Sequence, residues 1–173
     1  MGFTVFTGGA RSGKSAMALR AAEATGLHVV FVATGHAGDD EMRRRIDLHR
    51  AERPSHWSTV EEARDLLGAV LSAAPRSCVL VDCLSLWVSN LMLADVGESA
   101  IEAMAVEVAT FMAARPAPGV VVTNEVGSGI VPDNALARSY RDVLGRVNAA
   151  FALRADDAYL AVMGRVLRLD RFP

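Results

Sequence analysis

The chain has 173 residues, of which 51% are hydrophobic and 22% charged, and its formal net charge is -2. This suits a soluble globular protein folded as a single domain across residues 1–173, without an electrostatic basis for general nucleic-acid binding. No apolar stretch is long enough to cross a bilayer, and Cys78 and Cys83 form neither a disulfide framework nor a complete metal site.

Phe6 breaks the myristoylation pattern that Met1-Gly2 would open, and no basic leader precedes the first strand, so cytoplasmic residence is the expectation. Of the 18 basic residues, Lys14 alone is a lysine. Any lysine-dependent chemistry must therefore use Lys14.

Phe3 to Thr7 reads as a buried strand, followed by a glycine-rich turn and a helix from about Lys14 to Thr25. His28 to Ala33 predicts a second strand rich in Val and Phe. Thr34 to Asp39 reads as a loop, and Asp40 to about Glu52 as a charged helix that ends before Arg53-Pro54. Val60, Ala63, Leu66, Leu67 and Val70 fall on one helical stripe, which predicts a helix over 60–70.

Cys78 to Val81 predicts a strand that ends at Asp82, with helices over Leu84 to Leu93 and Glu98 to Ala114. Gly119 to Thr123 predicts another strand. Leu136, Tyr140, Val143, Leu144, Val147 and Phe151 form a second apolar stripe, on a helix started near Pro132. Tyr159 to Met163 and Val166 to Leu169 complete the pattern as strands around a turn at Gly164. Alternating strands and helices predict an α/β fold with a mostly parallel central sheet covered on both faces.

Gly8-Gly9-Ala10-Arg11-Ser12-Gly13-Lys14-Ser15 fits the P-loop pattern, with a strand before it and a helix after it. Its glycines allow a tight backbone cradle of N–H groups for phosphate oxygens, and the helix start adds positive potential. Lys14 can reach the outer phosphates and Ser15 can offer a hydroxyl to Mg2+. A nucleoside triphosphate is thus the candidate ligand. Asp82, at a strand end, fits either a magnesium role opposite Ser15 or a helix N-cap before Leu84.

His49 sits in the charged run, beside Arg50 and four residues before Arg53. Neutral imidazole can attack phosphorus, and arginines can stabilise phosphate charge. On residue chemistry alone, a nucleophile and a surface histidine both fit.

The ordered blocks from Thr7 to Ser15, Ala33-Thr34, Asp40-Glu41-Met42, Arg45-Ile46, His49-Arg50, Arg53-Pro54, Trp57 and Glu61 form one pattern. Thr123-Asn124-Glu125-Val126-Gly127, Gly129-Ile130-Val131-Pro132 and Arg138 through Asn148 continue it. In this order and spacing the chain resembles the bifunctional adenosylcobinamide kinase/adenosylcobinamide-phosphate guanylyltransferase family across almost its whole length. The resemblance implies phosphorylation of adenosylcobinamide by ATP or GTP. It also implies GMP transfer from GTP to adenosylcobinamide phosphate through a GMP–histidine intermediate, giving adenosylcobinamide-GDP.

By the same resemblance His49 is the nucleophile, and Arg50, Ala51, Glu52, Arg53 and Glu61 lie near the guanine nucleotide. Leu48 and Glu52 stand where family members carry a histidine and a glycine. A homo-oligomer, specifically a homotrimer, is also implied by the resemblance alone.

Thr34 and Gly35 fit a nucleotide-facing loop or a plain turn. Asn124, Glu125, Gly127 and Gly129 follow a strand end, a favourable place for ligands in open α/β sheets. Trp57 and Trp87 are expected in the core, and His28, His36 and His56 in structural or peripheral positions, with nucleotide contact a second reading for His36. Arg138, Arg141 and Arg146 fit substrate contacts, subunit contacts or a solvated helix face. Two other classes compete with transfer: a P-loop NTPase driving conformational change, and a non-catalytic nucleotide sensor.

Overall fold

A computed structural model describes residues 2–35, 40, 43, 44, 50 and 53–171. Among them are seven strands and five helices: β1 (Phe3–Gly8), α1 (Lys14–Glu23), β2 (Val29–Ala33), β3 (Ser58–Glu61), α2 (Leu66–Leu71), β4 (Cys78–Asp82), α3 (Leu84–Leu93), α4 (Glu98–Ala114), β5 (Gly119–Val122), α5 (Ala135–Arg154), β6 (Asp157–Val162) and β7 (Arg165–Arg168). The expected helix over Asp40 to Glu52 falls largely outside the described residues.

The strands form one sheet in the order β3-β2-β4-β5-β1-β6-β7. Every pairing is parallel except β6 with β7. The side-chain period of two explains the uninterrupted apolar runs of the inner strands, because each face has its own core. Val30, Val32, Val79, Val81 and Val121 pack against α2–α5, where Trp87, Leu144, Val147 and Phe151 are fully buried. Phe31, Ala33, Leu80, Val120 and Val122 pack on the other face with α1 and Trp57.

The helix expected over 60–70 is not formed as one unit. Ser58–Glu61 is an edge strand paired with β2, with Val60 opposite Val32. The carboxylate of Glu62 then accepts from the backbone N–H groups of Arg64 and Asp65, at 2.8 and 2.9 Å. Asp65 caps α2 by accepting from the N–H of Gly68 at 2.9 Å. Adjacent β-branched residues and a free edge of β2 outweighed the helical spacing.

The helix expected near Pro132 begins instead at Ala135, where Asn134 accepts from the N–H of Ala137. Tertiary packing buries Val143, Leu144, Val147 and Phe151 from its stripe and leaves Leu136 at the exposed first turn. The β6–β7 turn is tighter than a glycine alone would imply, with Met163 at φ 51° and Gly164 at φ 75°. Two successive positive φ values suit a short hairpin.

Candidate functional site

The sheet topology brings the ends of β1, β4 and β5 together. Val122 is in register with both Phe6 and Asp82, so the P-loop and the Asp82 carboxylate leave the sheet at one level. A side chain at Gly8 would bring its Cβ within 2.4 Å of the Ala161 carbonyl, so only glycine lets the loop leave β1 beside β6. Gly13, at φ 94°, is the N-cap of α1 and turns the chain into the helix. The loop is further tied by Gly164, whose N–H donates to the Ser12 carbonyl at 3.0 Å.

Together they border a cavity of about 510 Å³ lined by Ala10 through Ala16, Phe31, Ala33, Gly35, Arg53, Glu61, Asp82, Cys83, Leu86 and Asn124. Lys14 is buried, and its ammonium donates to the Gly9 carbonyl at 2.9 Å. Burial lowers its pKa, while negative charge at Cys83 and Asp82 would oppose that shift. Burial also pushes the Cys83 thiol up to about 11, so at neutral pH the opposing charge is Asp82. A cation aimed into a partly dry phosphate cradle, with a carboxylate nearby, suits an anionic ligand accompanied by a metal ion.

Asp82 is not the N-cap of α3. That position belongs to Cys83, with no side-chain capping bond. Of the two loop residues after β2, Gly35 lines the cavity and Thr34 does not. Thr34 is fully buried; its hydroxyl donates to the Cys83 carbonyl at 2.7 Å and accepts from the Cys83 N–H at 2.9 Å. Its backbone N–H also donates to the Asp82 carbonyl, so it locks the ends of β2 and β4 together. Gly8 and Gly9 are not among the residues that line the cavity.

At the other end of the cavity, the Arg53 guanidinium lies 3.8 Å from the centroid of the Phe31 ring. Its Nε is buried without a partner among the described residues. Burial lowers the Arg53 pKa most, with Asp82 opposing this, Arg50 adding to it and Glu61 opposing it. Glu61 pairs with Arg50 across the exposed end of β3. His36, His49, Ala51 and Glu52 lie outside the described residues.

Trp57 and Trp87 are core residues, the latter donating from its indole N–H to the Arg64 carbonyl at 2.8 Å. His28 bonds to Ser58 and His56 faces Glu23, both on the surface. Glu125 accepts from the N–H of Gly127 at 2.6 Å and is exposed outside the cavity lining. Arg146 bridges α5 to Glu98 and Glu102 of α4. Sequence reasoning missed Phe31, Ala33 and Leu86 as lining residues. For Phe31 and Ala33 the signal was their shared parity on β2, the parity of the face packed against α1.

The sheet order, the P-loop and the strand-end aspartate define a P-loop α/β nucleotide-binding protein. Its fold is similar to that of the RadB recombinase, with a TM-score of 0.50 and 16% identity over 91% of this chain and 73% of that one. Residues 4–169 match the family described as cobinamide kinase / cobinamide phosphate guanyltransferase, and the chain belongs to that family. It is 41% identical to the bifunctional adenosylcobalamin biosynthesis protein CobP of Pseudomonas aeruginosa, covering 96% of both chains. It is 43% identical to the bifunctional adenosylcobalamin biosynthesis protein CobU of Salmonella typhimurium, covering 91% of this chain and 94% of the relative. No helix among the described residues is long and apolar enough to cross a membrane.

Proposed function

We propose that this chain phosphorylates adenosylcobinamide with ATP or GTP and then transfers GMP from GTP to adenosylcobinamide phosphate, giving adenosylcobinamide-GDP. The observation that carries this reading is the shared cavity, whose lining includes Lys14, Ser15 and Asp82 together with Arg53 and, from the edge strand, Glu61. The family description, cobinamide kinase / cobinamide phosphate guanyltransferase, supports a corrinoid acceptor phosphorylated first and guanylylated second.

In the first step the acceptor hydroxyl oxygen bonds to the γ-phosphorus and the bond to the bridging oxygen breaks, releasing the nucleoside diphosphate. Lys14 and the P-loop N–H groups stabilise the charge on the transferring oxygens. The described residues include no cluster of three or more His, Cys, Asp or Glu side chains that could hold a metal alone. Magnesium fits such a site, because it is commonly held by one or two protein oxygens together with substrate phosphates. Ser15 and Asp82 would hold it, and it would supply neutralisation of phosphate charge.

In the second step His49 is the nucleophile. Its neutral ring nitrogen bonds to the α-phosphorus of GTP, and pyrophosphate leaves with the electron pair of the broken P–O bond. A phosphate oxygen of the bound corrinoid then attacks the same phosphorus and displaces the histidine. Arg50 and Arg53 stabilise the phosphate charge, and Glu61 accepts hydrogen bonds from guanine N–H donors. The chain works as one domain in the cytoplasm and as a homo-oligomer, with a homotrimer the assembly its family likeness favours.

Replacement of His49 tests the covalent step. With α-labelled GTP, His49→Ala is expected to lose both protein-bound GMP and net GMP transfer. With γ-labelled ATP, the folded variant is expected to continue phosphorylating the corrinoid. Undiminished labelling at another residue with normal onward transfer would exclude His49 as the nucleophile.

A further inference from the structure

Asn124 lines the cavity, yet phosphate binding assigns it no task. It follows β5, the strand between β4 with its Asp82 and β1 with its P-loop. The N–H of Thr123 donates to the Phe6 carbonyl at 2.9 Å, and the N–H of Glu125 donates to the Gly8 carbonyl at 3.1 Å. Both neighbours of Asn124 thus stay tied to β1, and Asn124 shares the cavity wall with Lys14, Ser15 and Asp82.

Its orientation is also set from behind. The carboxamide Nδ2 donates to Ser85 Oγ at 2.7 Å. The backbone carbonyl of Asn124 accepts from Asn148 Nδ2 at 3.0 Å, and Asn148 Oδ1 accepts from the Thr123 hydroxyl at 2.6 Å. Thr123 and Ser85 are buried, so these anchors sit in packed surroundings. Ser85 is itself held: Cys83 Sγ lies 2.8 Å from its hydroxyl, and Tyr140 donates to its carbonyl at 3.1 Å.

One Nδ2–H is thus engaged by Ser85, and Oδ1 is an acceptor without a hydrogen-bond partner among the described residues. Phosphate oxygens are acceptors too, and do not satisfy it. A neutral O–H does. We propose that Asn124 positions the alcohol that receives the phosphoryl group, with Oδ1 accepting the hydroxyl proton as a hydrogen bond and fixing the oxygen for in-line attack. This rests on the kinase reading above. Asn124 takes no proton; the hydroxyl proton passes to an oxygen of the transferred phosphoryl group as the new P–O bond forms and the bridging bond breaks. Ser85 and Asn148 act through Asn124 as positioning residues.

The test separates transfer from hydrolysis. The full chain is incubated with magnesium and ATP, with and without cobinamide, and phosphorylated corrinoid, free phosphate and nucleotide affinity are measured. Misplacing a reactant by about 1 Å can cost on the order of 10²-fold. Asn124→Ala is therefore expected to lower kcat for corrinoid phosphorylation by about that factor. Hydrolysis should fall far less, so the ratio of transfer to hydrolysis collapses while nucleotide affinity shifts little. Ser85→Ala should lower the same ratio by a smaller factor, and it carries the test if Asn124→Ala does not fold. Unchanged transfer in the folded variants, or loss of transfer and hydrolysis in equal proportion, would overturn the proposal. A wild-type chain that binds ATP but forms no phosphorylated corrinoid would instead overturn the kinase reading, and this one with it.

Discussion

The two ends of the cavity are built in different ways. The phosphate end stands on the three central strands β4, β5 and β1, and much of its chemistry lies in backbone N–H groups and the loop shape set by Gly8 and Gly13. The lysine at this end, Lys14, is buried. The other end stands on β2 and the edge strand β3, and its polar groups are side chains. Of these, Arg50 and Glu61 are more than half exposed. A pattern of glycines can specify the first end, because main-chain geometry follows from them. The second depends on side chains that meet across more than one segment, and solvent screens their charges.

The largest effect should come from the phosphate end. Removing one preorganised donor to developing charge costs about 10²–10³-fold in rate, and Lys14→Ala is expected to lose this much in both triphosphate-dependent steps. The check is kcat and KM for corrinoid phosphorylation and for GMP transfer, alongside a melting curve. Normal kcat at saturating nucleotide would break the comparison, since the ammonium would then have no role in either reaction.

A smaller and more selective effect is expected at the edge. A hydrogen bond to a charged group is worth about 1.5–3 kcal/mol, so Glu61→Gln should raise KM for GTP about tenfold or more. ATP-dependent phosphorylation should change much less, because adenine lacks the paired N–H donors that a carboxylate can take from guanine. Loss of the exposed Arg50 pair costs only about 0–1 kcal/mol, so the binding change will not be masked by unfolding. Equal effects on both nucleotides would show that Glu61 acts on something other than the base.

The same division governs what was legible in the sequence. The P-loop, its strand and its helix could be read directly, because glycine spacing and apolar runs are local signals. Helices α3 and α4 were bounded correctly by composition and periodicity. Asp82 could be read as a strand-end carboxylate, but its two roles were separated only by finding Cys83 at the cap of α3. Thr34 was misleading because its position beside Gly35 says nothing of a hydroxyl committed to Cys83, 49 residues away. β3 was hidden because four residues of strand carry too little periodicity, and Val60 happened to share helical spacing with Leu67. Its formation depends on the open edge of β2, a fact of the sheet and not of the segment.

That hidden turn into α2 yields the smallest prediction, and the one most specific to the edge. Glu62 accepts two backbone N–H bonds, from Arg64 and Asp65. These bonds hold its pKa below the ordinary 4.5, first through Arg64 and then through Asp65. A carboxyl with a depressed folded-state pKa stabilises the fold above its unfolded value, and this contribution is lost as pH falls through the lower folded value. Glu62→Ala should therefore destabilise the protein near neutral pH by about 0.5–1.5 kcal/mol, the scale of an ordinary hydrogen bond. The gap from wild type should narrow as the pH is lowered beyond about 4.5. Glu62→Gln keeps an acceptor oxygen without the ionisation, so it should retain part of the turn's stability and lose its pH dependence. Urea denaturation of the three proteins across this range measures both features. A gap between Glu62→Ala and wild type that stays constant with pH would mean that the carboxylate charge does not hold the β3–α2 turn.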